Sequence, residues 1–201
     1  MPQGDSGTIP VSTGGAFEFM KFVINQDDRE KTPLVFPAHM TILCPLSLPI
    51  DRRTQTIELV VEKMRLETGD YLLKGHEKVT LLERKGSLTE VAGNCLTREG
   101  RRKFVECCRR LRASCERPIL MLEGSPAILR SPIRGLEDVP PGVPFDALYR
   151  LLREYGIELL LLPGTSLPQR QAMGEFVARV LVNSALTRRL PDDPTGLLDS
   201  S

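Results

Sequence analysis

The sequence predicts an α/β protein built on a mixed β-sheet flanked by helices, and three observations predict it. At 201 residues, 41% apolar and 26% charged, the chain has the size and composition of one soluble domain with one core. Its second half alternates apolar runs with amphipathic helical patterns, the order expected of parallel strands covered by helices. Its first half strings apolar runs between turn-like breaks, as a meander or hairpin does. An antiparallel opening followed by helix-crossed strands makes the sheet mixed.

Taken in order, residues 1–16 are rich in Gly, Ser and Pro and lack periodicity, as do residues 189–201, so a domain over 17–188 is expected between a flexible leader and a flexible tail. "FEFMKFVIN" (17–25) reads as a buried strand. Residues 37–56 carry little pattern and are expected to form a long connection. "TIELVVEKMRLETGDYLL" and "KVTLLER" read as strands around the turn "KGHE". Residues 98–115 set Phe104, Cys108, Leu111 and Cys115 on one helical stripe, and "RPILMLEG" supplies a short strand. After a Pro/Gly-rich loop, "FDALYRLLREYG" reads as a helix ending at Gly156, "IELLLL" as a strand and "LPQRQAMGEFVARVLVNSALTRR" as a last helix.

Composition excludes several classes. The five cysteines are odd in number, lack C-x-x-C spacing and include the adjacent pair Cys107–Cys108, so they read as reduced packing residues. Two histidines far apart, His39 and His76, argue against a histidine metal site or a Ser/Cys–His hydrolase. No phosphate-binding glycine loop is present. With no apolar run near the roughly 18 residues of a membrane span, and no signal-peptide pattern at the start, an intracellular protein away from the membrane is expected: cytoplasm or nucleoid in a bacterial or phage setting, nucleus in a eukaryote. The net charge of +1 hides a concentration: residues 98–117 hold eight Arg/Lys against three Glu, so this segment carries +5 and the rest −4. Such a face is either solvated or made for phosphates.

The stretch "GDYLLKGHEKVTLLERKG" (69–86) carries the chemistry. With the turn at Lys74–Glu77, Leu73 faces Lys78, and Asp70 opposes Leu81 one diagonal step from Glu83, about 7–8 Å away. Alternation brings Lys85 to the same face and sends Arg84 to the other. Two carboxylates and a lysine on one face repel and resist dehydration unless a cation joins them, and oxygen donors select Mg²⁺ or Mn²⁺. Such an ion activates water and stabilises charge on a phosphodiester, with Lys85 orienting the water or neutralising the oxyanion. Residue by residue, Gly-Asp is also a common turn, and a charged triplet is common at a solvated strand end.

The order of motifs adds to this. Asp27-Asp28-Arg29-Glu30 follows the first strand, Gly69-Asp70-Tyr71 comes next and Glu83-Arg84-Lys85 last. A strand ending in D-x-R-E, then G-D-Y, then E-R-K resembles the XPF-type structure-specific nuclease family, a branch of the restriction-endonuclease-like PD-(D/E)xK fold. The resemblance spans residues 19–185 and looks closer to short phage and bacterial members than to long eukaryotic ones. It implies a restriction-endonuclease-like sheet and a Mg²⁺ (or Mn²⁺)-dependent endonuclease for branched or flapped DNA in recombination, repair or replication. It makes Asp70 and Glu83 metal-binding acids, Lys85 the catalytic lysine, and Asp27 and Glu30 the first acidic motif. Arg29 and Arg84 fall at positions that organise the acids or contact phosphate, and Arg101 or Arg102 at the helix arginine facing DNA. Arg109 and Arg112, on the same basic segment, join them as DNA-contacting candidates.

Two departures matter. The family's E-R-K-x-x-x-D would put its last acid at Thr89, whereas the acid present is Glu90; a one-residue shift at Gly86 would let Glu90 reach the metal. The tandem helix-hairpin-helix region of eukaryotic relatives has no counterpart in the sixteen residues after Ala185. Branched DNA would then be gripped by the nuclease face, a homodimer mate or another protein. Competing readings are a catalytically weak or inactive nuclease-fold subunit that binds DNA or pairs with an active partner, and an α/β protein whose motifs coincide by chance.

Overall fold

A computed structural model describes residues 20–43, 54–163 and 166–187, so the expected leader, tail and first strand residues 17–19 lie outside the described residues. Seven strands form one sheet: β1 (Met20–Asp27), β2 (His39–Leu43), β3 (Thr54–Met64), β4 (Tyr71–Leu73), β5 (Thr80–Lys85), β6 (Arg117–Glu123) and β7 (Glu158–Leu162). The helices are α1 (Leu88–Leu96), α2 (Arg98–Ser114), α3 (Gly142–Tyr155) and α4 (Leu167–Thr187). Strand order is β2-β3-β1-β4-β5-β6-β7. The expected mixed α/β sheet is therefore present: β5, β6 and β7 are mutually parallel, while β4 runs antiparallel to both β1 and β5.

Period-two alternation divides the core in two. Ile24, Ile57, Tyr71, Leu82, Ile119 and Met121 point to one side, where Met173, Val177, Leu181 and Ala185 of α4 cover them. Leu72, Leu81, Leu120 and Leu122 point to the other, against Val91 and Cys95 of α1, Phe104, Cys108 and Leu111 of α2, and Leu148 and Leu152 of α3. α4 presses so closely on the chain after β1 that a Cβ on Gly174 would lie 2.1 Å from the Val35 carbonyl oxygen.

Four readings of the first half need correction. The segment 37–56 is not a long connection: His39–Leu43 is an edge strand pairing antiparallel with β3, its alternating exposure hiding Met40 and Ile42. The run 56–73 is two strands, because the chain turns between Met64 and Tyr71; β3 lies parallel to β1 and only β4 faces β5. The opening is thus not wholly antiparallel. The turn is also wider than Lys74–Glu77: Tyr71 pairs with Leu82 and Leu72 with Leu81, a two-residue shift from the expected register. An even shift keeps every side chain on its predicted face. Finally, α1 precedes the predicted basic helix. Its start is a capping box, in which Ser87 Oγ accepts from the Glu90 amide and Glu90 Oε2 accepts from the Gly86 amide.

Candidate active site

The ends of β1, β4 and β5 are stitched together by backbone bonds that place the acids. The Asp27 amide donates to the Asp70 carbonyl (2.9 Å), and the Asp70 amide to the Leu82 carbonyl (2.8 Å). Gly69 makes the turn into β4 at φ +77°, where a Cβ would sit 1.7 Å from Leu81 Cδ2, so only glycine delivers Asp70 here. Asp70 then accepts the Arg84 amide on Oδ2 at 2.6 Å. The two-residue shift of register brings Asp70 beside Glu83 instead of diagonal to it.

Asp70, Glu83 and Lys85 share the face covered by the first three helices. Lys85 Nζ lies 2.9 Å from Glu83 Oε1, 3.2 Å from Glu90 Oε1 and 5.8 Å from the centre of the Phe104 ring. Burial favours the neutral amine, but Glu83 and then Glu90 outweigh it, so the Lys85 pKa is raised and the ammonium persists at neutral pH. Asp70 moves the other way for an acid: burial first and the neighbouring Glu83 second push its pKa up to about 7, against the Arg84 amide that favours the carboxylate. One acid is thus short of positive charge while the other holds the lysine.

Arg84 projects to the opposite face, where it is buried. It bonds Glu30 at 2.7 Å, contacts Glu123 and approaches Thr32 Oγ1 at 3.3 Å. It therefore ties the loop after β1 to the end of β6 while its own amide holds Asp70. Arg29 forks onto Asp27 and donates to the Leu66 carbonyl at 2.8 Å, and this guanidinium holds the buried Asp27 carboxyl below the usual range. The first acidic motif is thereby split: Asp27 belongs to Arg29, and Glu30 to Arg84.

On α2, Arg101 and Arg102 are exposed in the N-terminal half, Arg109 lies near Tyr155 of α3 and pairs with Glu106, and Arg112 donates to the Glu116 carbonyl at 3.0 Å. Sequence reasoning missed Glu123, Phe104 and Cys107. An acid closing the apolar strand "PILMLE" was the available signal for Glu123, since a buried charge needs a partner. Cys107, half-buried, has its thiol pushed up to about 12 by burial and by Glu83, which marks it as a neighbour of the acids.

Among the described residues no three acidic, His or Cys side chains form a ready-made metal cage. Asp70 and Glu83 do fit a hard divalent cation held by two carboxylates with water and substrate completing its shell, and the raised Asp70 pKa marks where positive charge is lacking.

No protein-family model and no curated protein matches the chain. Among solved structures, XPF from Aeropyrum pernix in complex with DNA aligns at TM-score 0.51 and 22% identity, covering 85% of this chain and 68% of that one. This chain has the XPF fold. A second structure of XPF from Aeropyrum pernix aligns at TM-score 0.49 and 20% identity over 84% of this chain, which spans only 62% of that protein's length. The fold expected from the resemblance is borne out by the alignment with the XPF–DNA complex. No described helix is long and apolar enough to cross a membrane.

Proposed function

We propose that the protein is a Mg²⁺- or Mn²⁺-dependent endonuclease that hydrolyses phosphodiester bonds in branched or flapped DNA. The convergence of Asp70, Glu83 and Lys85 on one sheet face carries the reading. The DNA in the aligned XPF complex and the basic face of α2 support DNA as the substrate.

Asp70 and Glu83 would hold the cation, which supplies Lewis-acid stabilisation of the phosphodiester's developing charge. The permanently charged Lys85 is unsuited to remove a proton; held by Glu83 and Glu90, it orients the attacking water and offsets negative charge at the phosphorus oxygens. Asp27, Arg29, Glu30 and Arg84 fix the strand ends. Arg101, Arg102, Arg109 and Arg112 supply backbone contacts along α2, which suits recognition of shape over sequence.

A panel of flap, fork and four-way-junction DNAs with Mg²⁺ or Mn²⁺ tests this: cleavage by the wild type and none by Asp70→Ala/Glu83→Ala is expected. No cleavage, or equal cleavage by both, overturns it. A second reading, a silent DNA-binding subunit paired with an active partner, draws on Glu90, whose two oxygens are already occupied by Lys85 and the Gly86 amide. Calorimetry showing no Mn²⁺ uptake would select it.

A further inference from the structure

α2 turns one buried seam to the sheet and carries exposed basic residues on both sides of it. At 100° per residue, Phe104, Cys108, Leu111 and Cys115 form the buried seam against the sheet. Arg98, Arg102, Val105 and Arg109 lie on the far flank, where Arg109 reaches Tyr155 of α3. Lys103, Cys107, Arg110 and Ser114, at the i, i+4, i+7, i+11 spacing, form the opposite flank.

Two observations orient this second flank. Phe104 lies beneath the Lys85 ammonium, which fixes the level of α2 along β5, and Cys107, one turn further, lies within electrostatic reach of Glu83, Lys85 and Arg110. The Lys103–Cys107–Arg110 flank therefore borders the acids. Lys103 is well exposed and held only by the solvated Glu99, and Arg110 is exposed. An exposed ion pair of this kind is worth at most about 1 kcal/mol, so a phosphate can displace Glu99.

We propose that Lys103 and Arg110 are the phosphate-binding edge for the DNA strand being cut, holding the backbone that leads into the Asp70–Glu83 centre. The inference rests on the nuclease reading. The arginines of the far flank, Arg102 and Arg109, then contact the duplex outside the cut strand's path and contribute affinity of a more general kind. Cys107, between the two cations, lies under that strand and has no charge of its own to contribute.

The test uses the full chain and a fluorescent flap duplex with Mg²⁺, comparing Lys103→Gln/Arg110→Gln with wild type and with Arg102→Gln/Arg109→Gln. The first pair should raise KM about tenfold or more with kcat within about twofold, the signature of lost strand binding. The slope of log affinity against log salt should fall by about 1.8 for two lost phosphate contacts. All four side chains are exposed, and unchanged melting temperatures confirm intact folding. Unchanged KM and slope, a fall in kcat alone, or an equal rise in KM from both pairs overturns the proposal. If the wild type cuts no DNA the nuclease reading fails by itself, and an unchanged salt slope of Lys103→Gln/Arg110→Gln on uncut DNA still overturns the phosphate-binding edge.

Discussion

Replacing Asp70 by Asn should stabilise the metal-free protein at neutral and alkaline pH. The Asp70 carboxyl moves from 3.8 to about 7, because burial and Glu83 disfavour its charge. At 1.36 kcal/mol per pKa unit, keeping it ionised costs about 4 kcal/mol. The raised pKa already carries the Arg84 amide's preference for the carboxylate, and the carboxamide, like the neutral acid, can still accept that amide. The expected gain is therefore about 4 kcal/mol, which for a chain of this size corresponds to about 8–16 °C in Tm. The sign follows from linkage: a carboxyl whose folded pKa lies above its unfolded one contributes stability that is fully present below about pH 4 and lost as pH rises through 7. Thermal unfolding in EDTA should therefore show wild type and Asp70→Asn melting together near pH 4 and diverging by pH 8. Added Mg²⁺ should raise the wild type and leave the variant unmoved. Equal Tm at pH 8, or a gap of the same size at both pH values, would refute the reasoning.

The remaining expectations concern the frame of the site. Arg84→Met should destabilise by about 3–5 kcal/mol in urea unfolding, since it leaves Glu30 and Glu123 buried without their cation; a change below 1 kcal/mol would contradict the clamp. Gly69→Ala forces a Cβ into Leu81 at a positive φ, and should cost more than about 2 kcal/mol and abolish Mn²⁺ binding in calorimetry. Glu90→Gln frees one side of Lys85 and weakens the α1 cap, so cleavage should fall about tenfold while stability falls by only about 1 kcal/mol. Full activity in that variant would show that Glu90 serves the helix alone.

Much of the fold was legible because alternation and helical spacing are local. Strands β1, β5, β6 and β7 and helices α2, α3 and α4 declared themselves by period. What failed was long-range. The parallel pairing of β1 with β3 leaves no mark in either strand's own sequence, and the edge strand His39–Leu43 has too few apolar residues to stand out. The break inside 56–73 was signalled by Thr68-Gly69, read as part of the strand instead of its end. α1 was hidden because it is short, yet Ser87-Leu88-Thr89-Glu90 spells its cap. For the site, Asp70, Glu83 and Lys85 were placed on the correct face despite the wrong register, because the error was an even number of residues. Glu123 was invisible as a partner, since nothing local says which buried arginine its carboxylate meets.

The division of labour within Glu83-Arg84-Lys85 follows from the same alternation. Consecutive strand residues cannot share a face, so the middle residue of the triplet is barred from the acidic centre and must be satisfied behind the sheet. Behind the sheet, Arg84 finds Glu30 from the loop after β1 and Glu123 from the end of β6, two segments distant in sequence. Its amide meanwhile points along the sheet and holds Asp70. One residue therefore couples the chain closures on one face to the carboxylate on the acidic face. A lysine in its place would keep the amide and the charge, but one ammonium on a flexible stem lacks the planar fork that meets both glutamates. Arg84→Lys thus separates the two roles: if the clamp positions Asp70, the variant should lose cleavage while it keeps most of its stability.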